Sequence, residues 1–381
     1  MEFPAVLPHG PSRRQFLGKL ALGGAAVLAG RLAPSAGAAE APDLLASRQG
    51  RKLGIALVGL GRYAGGQLAP ALQETRLCRL AGVVTGERAK GERWAREYGF
   101  SEKSVYGYDT IGRLADNPDV DIVYVVTPPA LHARDVIAAA KAGKHVISEK
   151  PMATTVADCD VMIAACRAAG VMLSIGYRLH FEPHHAEIER LARTGEFGPF
   201  ERMDGGFGFH MARSEWRVDK RLAGGGPLPD LGTYVIQEAC RARREAAPVA
   251  VTAREAPKLR PDFFKEVEAE INWTMEFAGG ATCAGFASYE QGANRFRAEA
   301  PHGWVELDPA FSYRGIEGRT SRGPMRYPSV NEQAGQMDGF AECILTGRPT
   351  PVPGEMGRRD IAIITAIYEA AASGQRVPVK L

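Results

Sequence analysis

The chain predicts an α/β protein whose first half is a doubly wound parallel sheet. Three observations carry this: near-continuous apolar runs at residues 53–58 and 120–126, helically spaced segments between such runs, and a glycine turn between the first run and the first helix. Strands buried on both faces read as unbroken apolar runs rather than as alternations. Alternating with helices, they make a parallel sheet with helices on both faces.

Ahead of the sheet, Arg13-Arg14 stands in Pro-Ser-Arg-Arg-Gln-Phe-Leu, followed by an apolar run over residues 20–29 and the small residues Ala36-Gly37-Ala38-Ala39. This resembles a twin-arginine signal with its peptidase site. Residues 1–38 are therefore expected to be removed after the folded chain is carried to the periplasm by the twin-arginine export machinery. The apolar run is half of the roughly 20 residues a spanning helix needs, and no later segment is apolar enough to cross a bilayer. Removing residues 1–38 takes three net positive charges from a chain of net +3. The neutral mature protein has no charge excess for nucleic acid or an anionic membrane. The six cysteines, at positions 78, 159, 166, 240, 283 and 343, fit no metal spacing and read as mostly buried thiols. Residues 39–52 read as an N-terminal arm. Residues 53–175 are expected to form a dinucleotide-binding domain and residues 176–381 a second domain.

The run at 53–58 ends in Gly59-Leu60-Gly61-Arg62-Tyr63-Ala64, then a helical pattern through Leu68, Leu72 and Leu77. In this strand–turn–helix setting, Gly-x-Gly-x-x-Ala is the Rossmann dinucleotide fingerprint. Gly59 allows the tight turn, Gly61 lets the main chain approach a pyrophosphate, and Ala64 lets the helix pack closely on the strand. The strand at 80–85 ends in Thr85-Gly86, where an NAD enzyme usually has a carboxylate for the ribose, with Arg88 and Lys90 just beyond. A hydroxyl with nearby cations favours the extra phosphate of NADP, and Arg62 is a further candidate to stack on adenine or meet that phosphate. Arg88 and Lys90 read equally well as solvated helix charges. The run at 120–126 leads to Thr127-Pro128, with His132 as a structural or nicotinamide-side group, and the strand at 144–148 leads to Glu149-Lys150-Pro151. Ligands bind at the carboxyl ends of such strands, so Lys150 emerges at the cofactor edge.

These residues, with Ala142-Gly143-Lys144-His145-Val146, Met152-Ala153, Gly176-Tyr177-Arg178, Trp216-Arg217, Leu222-Ala223-Gly224-Gly225-Gly226, Asp230-Leu231-Gly232-x-Tyr234 and Ile367-Tyr368-Glu369-Ala370-Ala371, resemble the glucose-fructose oxidoreductase, inositol dehydrogenase and rhizopine-catabolism (Gfo/Idh/MocA) family. The resemblance runs from about Leu53 to Val379. It is nearest to the glucose-fructose branch and to periplasmic aldose-aldose oxidoreductases, because Tyr234 stands where many relatives carry histidine. It implies a C-terminal α+β domain with an open, mainly antiparallel sheet, one face over the nicotinamide and the other often building an oligomer, here a dimer or tetramer. The alternation of Ile271, Trp273, Met275 and Phe277, a Gly279-Gly280 turn and a returning run at 281–289 are compatible, as are strand candidates at 200–210, 249–255, 295–300 and 304–307. A last helix near 360–372 is expected to pack back on the first domain.

The resemblance also implies the chemistry. Oxidising a cyclic aldose to its lactone removes a hydride from the anomeric carbon and a proton from its hydroxyl. Tyr234 is implied as the acid/base, Lys150 as the cation that lowers the pKa of that phenol and stabilises the oxyanion, and Asp230 as the group that holds sugar hydroxyls or orients the lysine. Tyr177, Arg178, Trp216, Arg217 and Lys220 are candidate walls of the sugar pocket, Arg178 also a cofactor contact. His180, His184 and His185 have no carboxylate or cysteine at ligand spacing, and no metal is expected. An exported enzyme cannot exchange its cofactor with the cytoplasm. Tightly bound NADP would then be recycled by a second sugar, fructose or another aldose, in ping-pong turnover. The same residues leave open an NAD-dependent glycosidase and a sugar-binding relative without turnover.

Overall fold

β1 (Leu53–Val58) lies at the centre of a six-stranded sheet because every one of its residues is buried. Its neighbours are β2 (Cys78–Val84), β3 (Val105–Tyr106), β4 (Ile122–Val125), β5 (His145–Ser148) and β6 (Leu173–Ile175), in the order β3-β2-β1-β4-β5-β6. All five pairings are parallel. This computed structural model describes residues 50–381, so the expected export signal and most of the expected arm lie outside the described residues. The crossovers are α1 (Ala69–Glu74), α2 (Arg88–Tyr98), α3 (Pro129–Lys141) and α4 (Val156–Ala168). The chain runs outward from β1 to β3 and then returns to β4 on the other side of β1. That reversal opens a crevice at the carboxyl ends of β1 and β4, where the fingerprint turn and Thr127 stand.

The helix after the fingerprint differs from the sequence expectation. It starts as a π-helical turn, Ala64–Leu68, continues as α1 and ends at Glu74, so Leu77 lies in the buried connector to β2. Pro70 cannot donate a main-chain hydrogen bond, and a widened turn accommodates that loss. Thr75 is extended and spends its hydroxyl on the Leu72 and Cys78 carbonyls, which ends the helix.

Two helices, α5 (Pro183–Thr194) and the short α6 (Lys220–Ala223), flank β7 (Arg202–Gly208), and a π-helical turn over Leu228–Gly232 leads into α7 (Thr233–Ala242). The remaining strands are β8 (Ala250–Glu255), β9 (Glu270–Glu276), β10 (Thr282–Ser288), β11 (Ala293–Ala300), β12 (Gly303–Leu307), β13 (Gly318–Thr320) and β14 (Gly323–Met325). With β15 (Val377–Pro378) they form a nine-stranded sheet, β14-β13-β12-β11-β7-β10-β9-β8-β15. Every pairing is antiparallel except β10 with β7, which is parallel. Period-2 alternation decides its two faces. Ile271, Trp273, Met275, Phe296, Ala298, Val305 and Leu307 are buried, while Arg295, Arg297 and Glu306 form an ion-paired opposite face with Asp204. Trp273 lies beneath the π turn, and a side-chain carbon at Gly285 or Gly232 would collide with its indole.

The chain closes with α8 (Glu332–Thr346) and α9 (Gly354–Ser373). α9 lies against α4 and β6 of the parallel sheet and against β8 of the second sheet. It begins six residues earlier than expected, because Gly354 and Gly357 permit close approach to Ile163, Leu173 and Met152 rather than breaking the helix. All six cysteines are buried free thiols.

Candidate active site

The fingerprint turn has the shape its glycines predict. Gly59 has φ +95°, and a Cβ there would press on the main chain of Val126 and Thr127 at 3.2 Å. At Gly61 a Cβ would point into open space, leaving the main chain free to face a phosphate. A cavity of about 570 Å³ opens beside the end of β2, lined by Thr85, Gly86, Arg88, Lys103, Tyr106 and Arg113 among others. The open main chain at Gly61, with Thr85, Lys103 and Arg113 beside Asp109 in the cavity, fits a dinucleotide.

Several of the expected cofactor contacts also make contacts within the protein. Lys90 donates to the Leu60 carbonyl at 2.6 Å and so braces the turn. Arg88 pairs with Glu92 one turn along α2. Thr127 donates to Asp135 at 2.8 Å. Both ring nitrogens of His132 face main-chain carbonyls, Thr127 at 2.7 Å and Met152 at 3.1 Å, and neither is left for a nicotinamide. Pro128 serves as the N-cap residue of α3. Arg62 is ion-paired to Glu215 from the loop after β7, and Tyr63 stacks on Tyr313 from the loop after β12.

At the end of β5, Glu149 is buried between the Tyr124 hydroxyl (2.7 Å) and the Lys150 main-chain N–H (3.1 Å), and burial pushes its carboxyl up. Gly176 stands where a Cβ would overlap that carboxylate, which explains a glycine directly after β6. Lys150 then reaches across the crevice. Its Nζ donates to the main-chain oxygen of Asp230 at 2.7 Å and to Oδ1 at 3.1 Å, and lies 4.7 Å from the centre of the Tyr234 ring. Burial opposes its charge, but Tyr234, Asp230 and Glu149 outweigh that and raise its pKa.

Asp230 sits in the π turn, which Pro229 favours by lacking a donor. Its Oδ2 accepts from Arg217 Nε at 3.0 Å and from the Tyr289 hydroxyl at 2.8 Å. Burial would raise this carboxyl, yet Lys150 and Arg217 outweigh it and hold the pKa far below the usual range. Removing one member of a buried ion pair leaves an uncompensated charge. Asp230→Ala is therefore expected to cost about 3 kcal/mol at neutral pH, read by urea unfolding. A depressed folded pKa means stability that is complete above the ordinary aspartate pKa of roughly 3.9 and lost as pH falls towards the folded value. The difference between wild type and variant should stay flat down to about pH 5 and shrink below it.

Tyr234, one residue into α7, packs its ring against Phe207 and Phe311, and its Oη accepts from Arg178 Nε at 3.3 Å. Arg178 is thus hydrogen-bonded to the phenol oxygen, and both Lys150 and Arg178 lie over the ring, 4.7 and 5.1 Å from its centre. Arg178 is 2% exposed. It is held by Glu332, by the Phe311 carbonyl at 2.6 Å and the Ser312 carbonyl at 3.2 Å, and it lies over the Tyr313 ring at 4.6 Å.

Lys150, Asp230, Tyr234 and Arg217 therefore come together as expected, with Trp216 stacked on Arg217 at 4.4 Å. Two proposed pocket walls do not. Tyr177 is buried in the core with its hydroxyl on Asp360 of α9 at 2.6 Å, because it points away from its neighbour Arg178. Lys220 is exposed at the start of α6. The histidines are likewise committed: His185 to Glu238 and the Ala310 carbonyl, His184 to Glu182, His180 to Gln237. Tyr289, Tyr313 and Glu332 were missed. Only Tyr289 had a signal, as the last residue of the returning run at 281–289.

A parallel nucleotide-binding sheet whose own lysine, at its switch-point crevice, meets an aspartate and a tyrosine from a mainly antiparallel-sheet domain defines a dinucleotide-dependent oxidoreductase. The chain matches the pattern described as "Oxidoreductase family, NAD-binding Rossmann fold" over residues 53–177 and the GFO/IDH/MocA C-terminal domain over residues 185–306. It is similar to the aldose-aldose oxidoreductase of Caulobacter crescentus, whose structure with glycerol superposes with a TM-score of 0.83 at 44% identity, covering 86% of this chain and 100% of that one. D-xylose 1-dehydrogenase [NADP(+)] of Haloarcula marismortui is 27% identical, over 85% of this chain and 92% of that protein. A levoglucosan dehydrogenase in complex with NADH and levoglucosan shares the fold, with a TM-score of 0.75 at 22% identity, covering 87% of this chain and 100% of that one. The chain belongs to the GFO/IDH/MocA oxidoreductase family.

Proposed function

We propose that this protein is an exported, NADP-dependent sugar oxidoreductase that keeps its cofactor and works on two sugars in turn, oxidising an aldose to its lactone and reducing a second aldose or a ketose to a polyol. The observation that carries the reading is the convergence of Lys150, Asp230 and Tyr234 at the carboxyl edge of the parallel sheet. The 44% identity to an aldose-aldose oxidoreductase along its whole length supports the sugar substrate. The absence of a carboxylate directly after β2, with Lys103 and Arg113 lining the adjoining cavity alongside Asp109, supports NADP over NAD. Residues 53–175 would hold the cofactor and residues 176–381 the sugar. Periplasmic location rests on Arg13-Arg14 and the apolar run behind it. A homo-oligomer would use the charged open face of the nine-stranded sheet.

A nicotinamide held at the Gly59–Ala64 turn would supply the hydride-accepting and hydride-donating chemistry. The chain's own residues handle the proton and the charge. In oxidation Tyr234, as its phenolate, receives the proton of the anomeric hydroxyl, and it returns that proton to the second sugar when its carbonyl becomes an alcohol. The Lys150 ammonium stabilises negative charge on the sugar oxygen. Asp230 fixes that ammonium through two contacts, so little reorganisation is needed as charge develops. Arg217 and Trp216 border the pocket beside Asp230.

The test is to purify the protein without added nucleotide and follow the reduced-nicotinamide absorbance. Glucose should raise that band and a second sugar should remove it. A polypeptide that carries no nicotinamide nucleotide and binds none would sink the proposal. So would release of sugar from an aryl glycoside with no lactone formed.

A further inference from the structure

We propose that Arg178 is the positioning residue that readies Tyr234 to accept a proton, an inference that rests on the reading of Tyr234 as the base. The Arg178 Nε donates to the Tyr234 Oη at 3.3 Å. A guanidinium has only donors and stays charged in proteins, so at this contact the phenol can only accept. One lone pair of Oη is thus committed to Arg178, and the phenolic hydrogen must point elsewhere. As the hydrogen leaves, the negative charge forms beside a fixed cation.

Two features separate this contact from incidental packing. First, the guanidinium cannot turn away. Glu332 holds Nη1, the Phe311 carbonyl holds Nη2, and the Tyr313 ring lies across its face. Second, the Lys150 Nζ donates to the Asp230 carbonyl and carboxylate, whereas the Arg178 Nε donates to Oη, although both cations lie over the Tyr234 ring. Arg178 thus contacts the base directly, while Asp230 holds the Lys150 ammonium beside it for the sugar oxygen.

The other charged or titratable groups around Tyr234 are few. Lys150 and Glu149 come from the end of β5, Asp230 from the π turn, Glu332 from α8, Tyr63 from the fingerprint and Tyr313 from the loop after β12. Burial pushes the Tyr63 and Tyr313 phenols up, so both stay protonated. Burial works against the Arg178 charge, but Tyr234 and Glu332 outweigh it and raise its pKa.

The test is the pH–rate profile for reduction of the bound nicotinamide by saturating aldose, in single turnover of the holoenzyme, with cofactor content checked for each variant. Arg178→Lys, whose ammonium cannot both hold Glu332 and reach Oη, should move the ascending limb set by the base up by about one pH unit, roughly a tenfold loss at neutral pH that recovers at high pH. Glu332→Gln keeps an acceptor for the guanidinium but removes the opposing charge, and it should move the limb down. A merely structural role would lower the rate equally at every pH and leave both limbs in place, which would overturn the inference. Should Arg178→Lys fail to hold cofactor, Glu332→Gln decides alone: a downward shift supports the inference, and an unmoved or raised limb overturns it. Tyr234→Phe runs in the same series. If it keeps the wild-type rate and limb, the base reading itself fails. If it abolishes the limb while the Arg178 and Glu332 variants leave theirs unmoved, only the inference about Arg178 falls.

Discussion

Tyr234→Phe should slow reduction of the bound nicotinamide by an aldose about 10²- to 10⁴-fold, the range that a positioned acid/base contributes. The substitution removes one oxygen and leaves the ring in place against Phe207, Phe311 and the Lys150 ammonium. Arg178 loses one acceptor but keeps Glu332 and two carbonyls. Fold and cofactor content should therefore be unchanged, and single-turnover absorbance isolates the proton step. An undiminished rate in this variant would remove Tyr234 as the base.

Lys150→Met should cost about 10²- to 10³-fold in the same step, comparable with deleting one donor that faces developing oxyanion charge. Methionine has a similar length, and Asp230 keeps Arg217 and the Tyr289 hydroxyl after the change. The loss should therefore appear in the rate of the step rather than in the retained cofactor. Comparing saturating and limiting aldose separates the two: a rise in KM alone would make Lys150 a binding residue. Lys150→Arg should recover only part of the rate, because a planar fork cannot make the two Asp230 contacts of an ammonium in the same place.

What the sequence carries by itself is local. The run at β1, the fingerprint turn and the exit of Lys150 from β5 each depend on a few adjacent residues, because burial on both faces and positive φ at Gly59 leave direct marks in composition. Tyr234 and Asp230 were legible only through a motif shared with the family, since a tyrosine and an aspartate four residues apart have ordinary core and capping uses. The misreadings share one cause. Tyr177 and Arg178 are neighbours, and nothing local says which faces the crevice and which faces α9. Lys90 and Thr127 carry the right chemistry at the right strand ends, yet the Leu60 carbonyl and Asp135 claim them.

The amino-acid order by itself determined the parallel sheet, the dinucleotide turn and the family, because backbone geometry and two-sided burial act over a few residues. Tertiary structure alone decided which cation touches the Tyr234 oxygen. The contacts that settle it join Arg178 to residues more than a hundred positions away, Phe311, Ser312 and Glu332. Such partners are chosen by the packing of two sheets around one crevice, and no local preference encodes that choice.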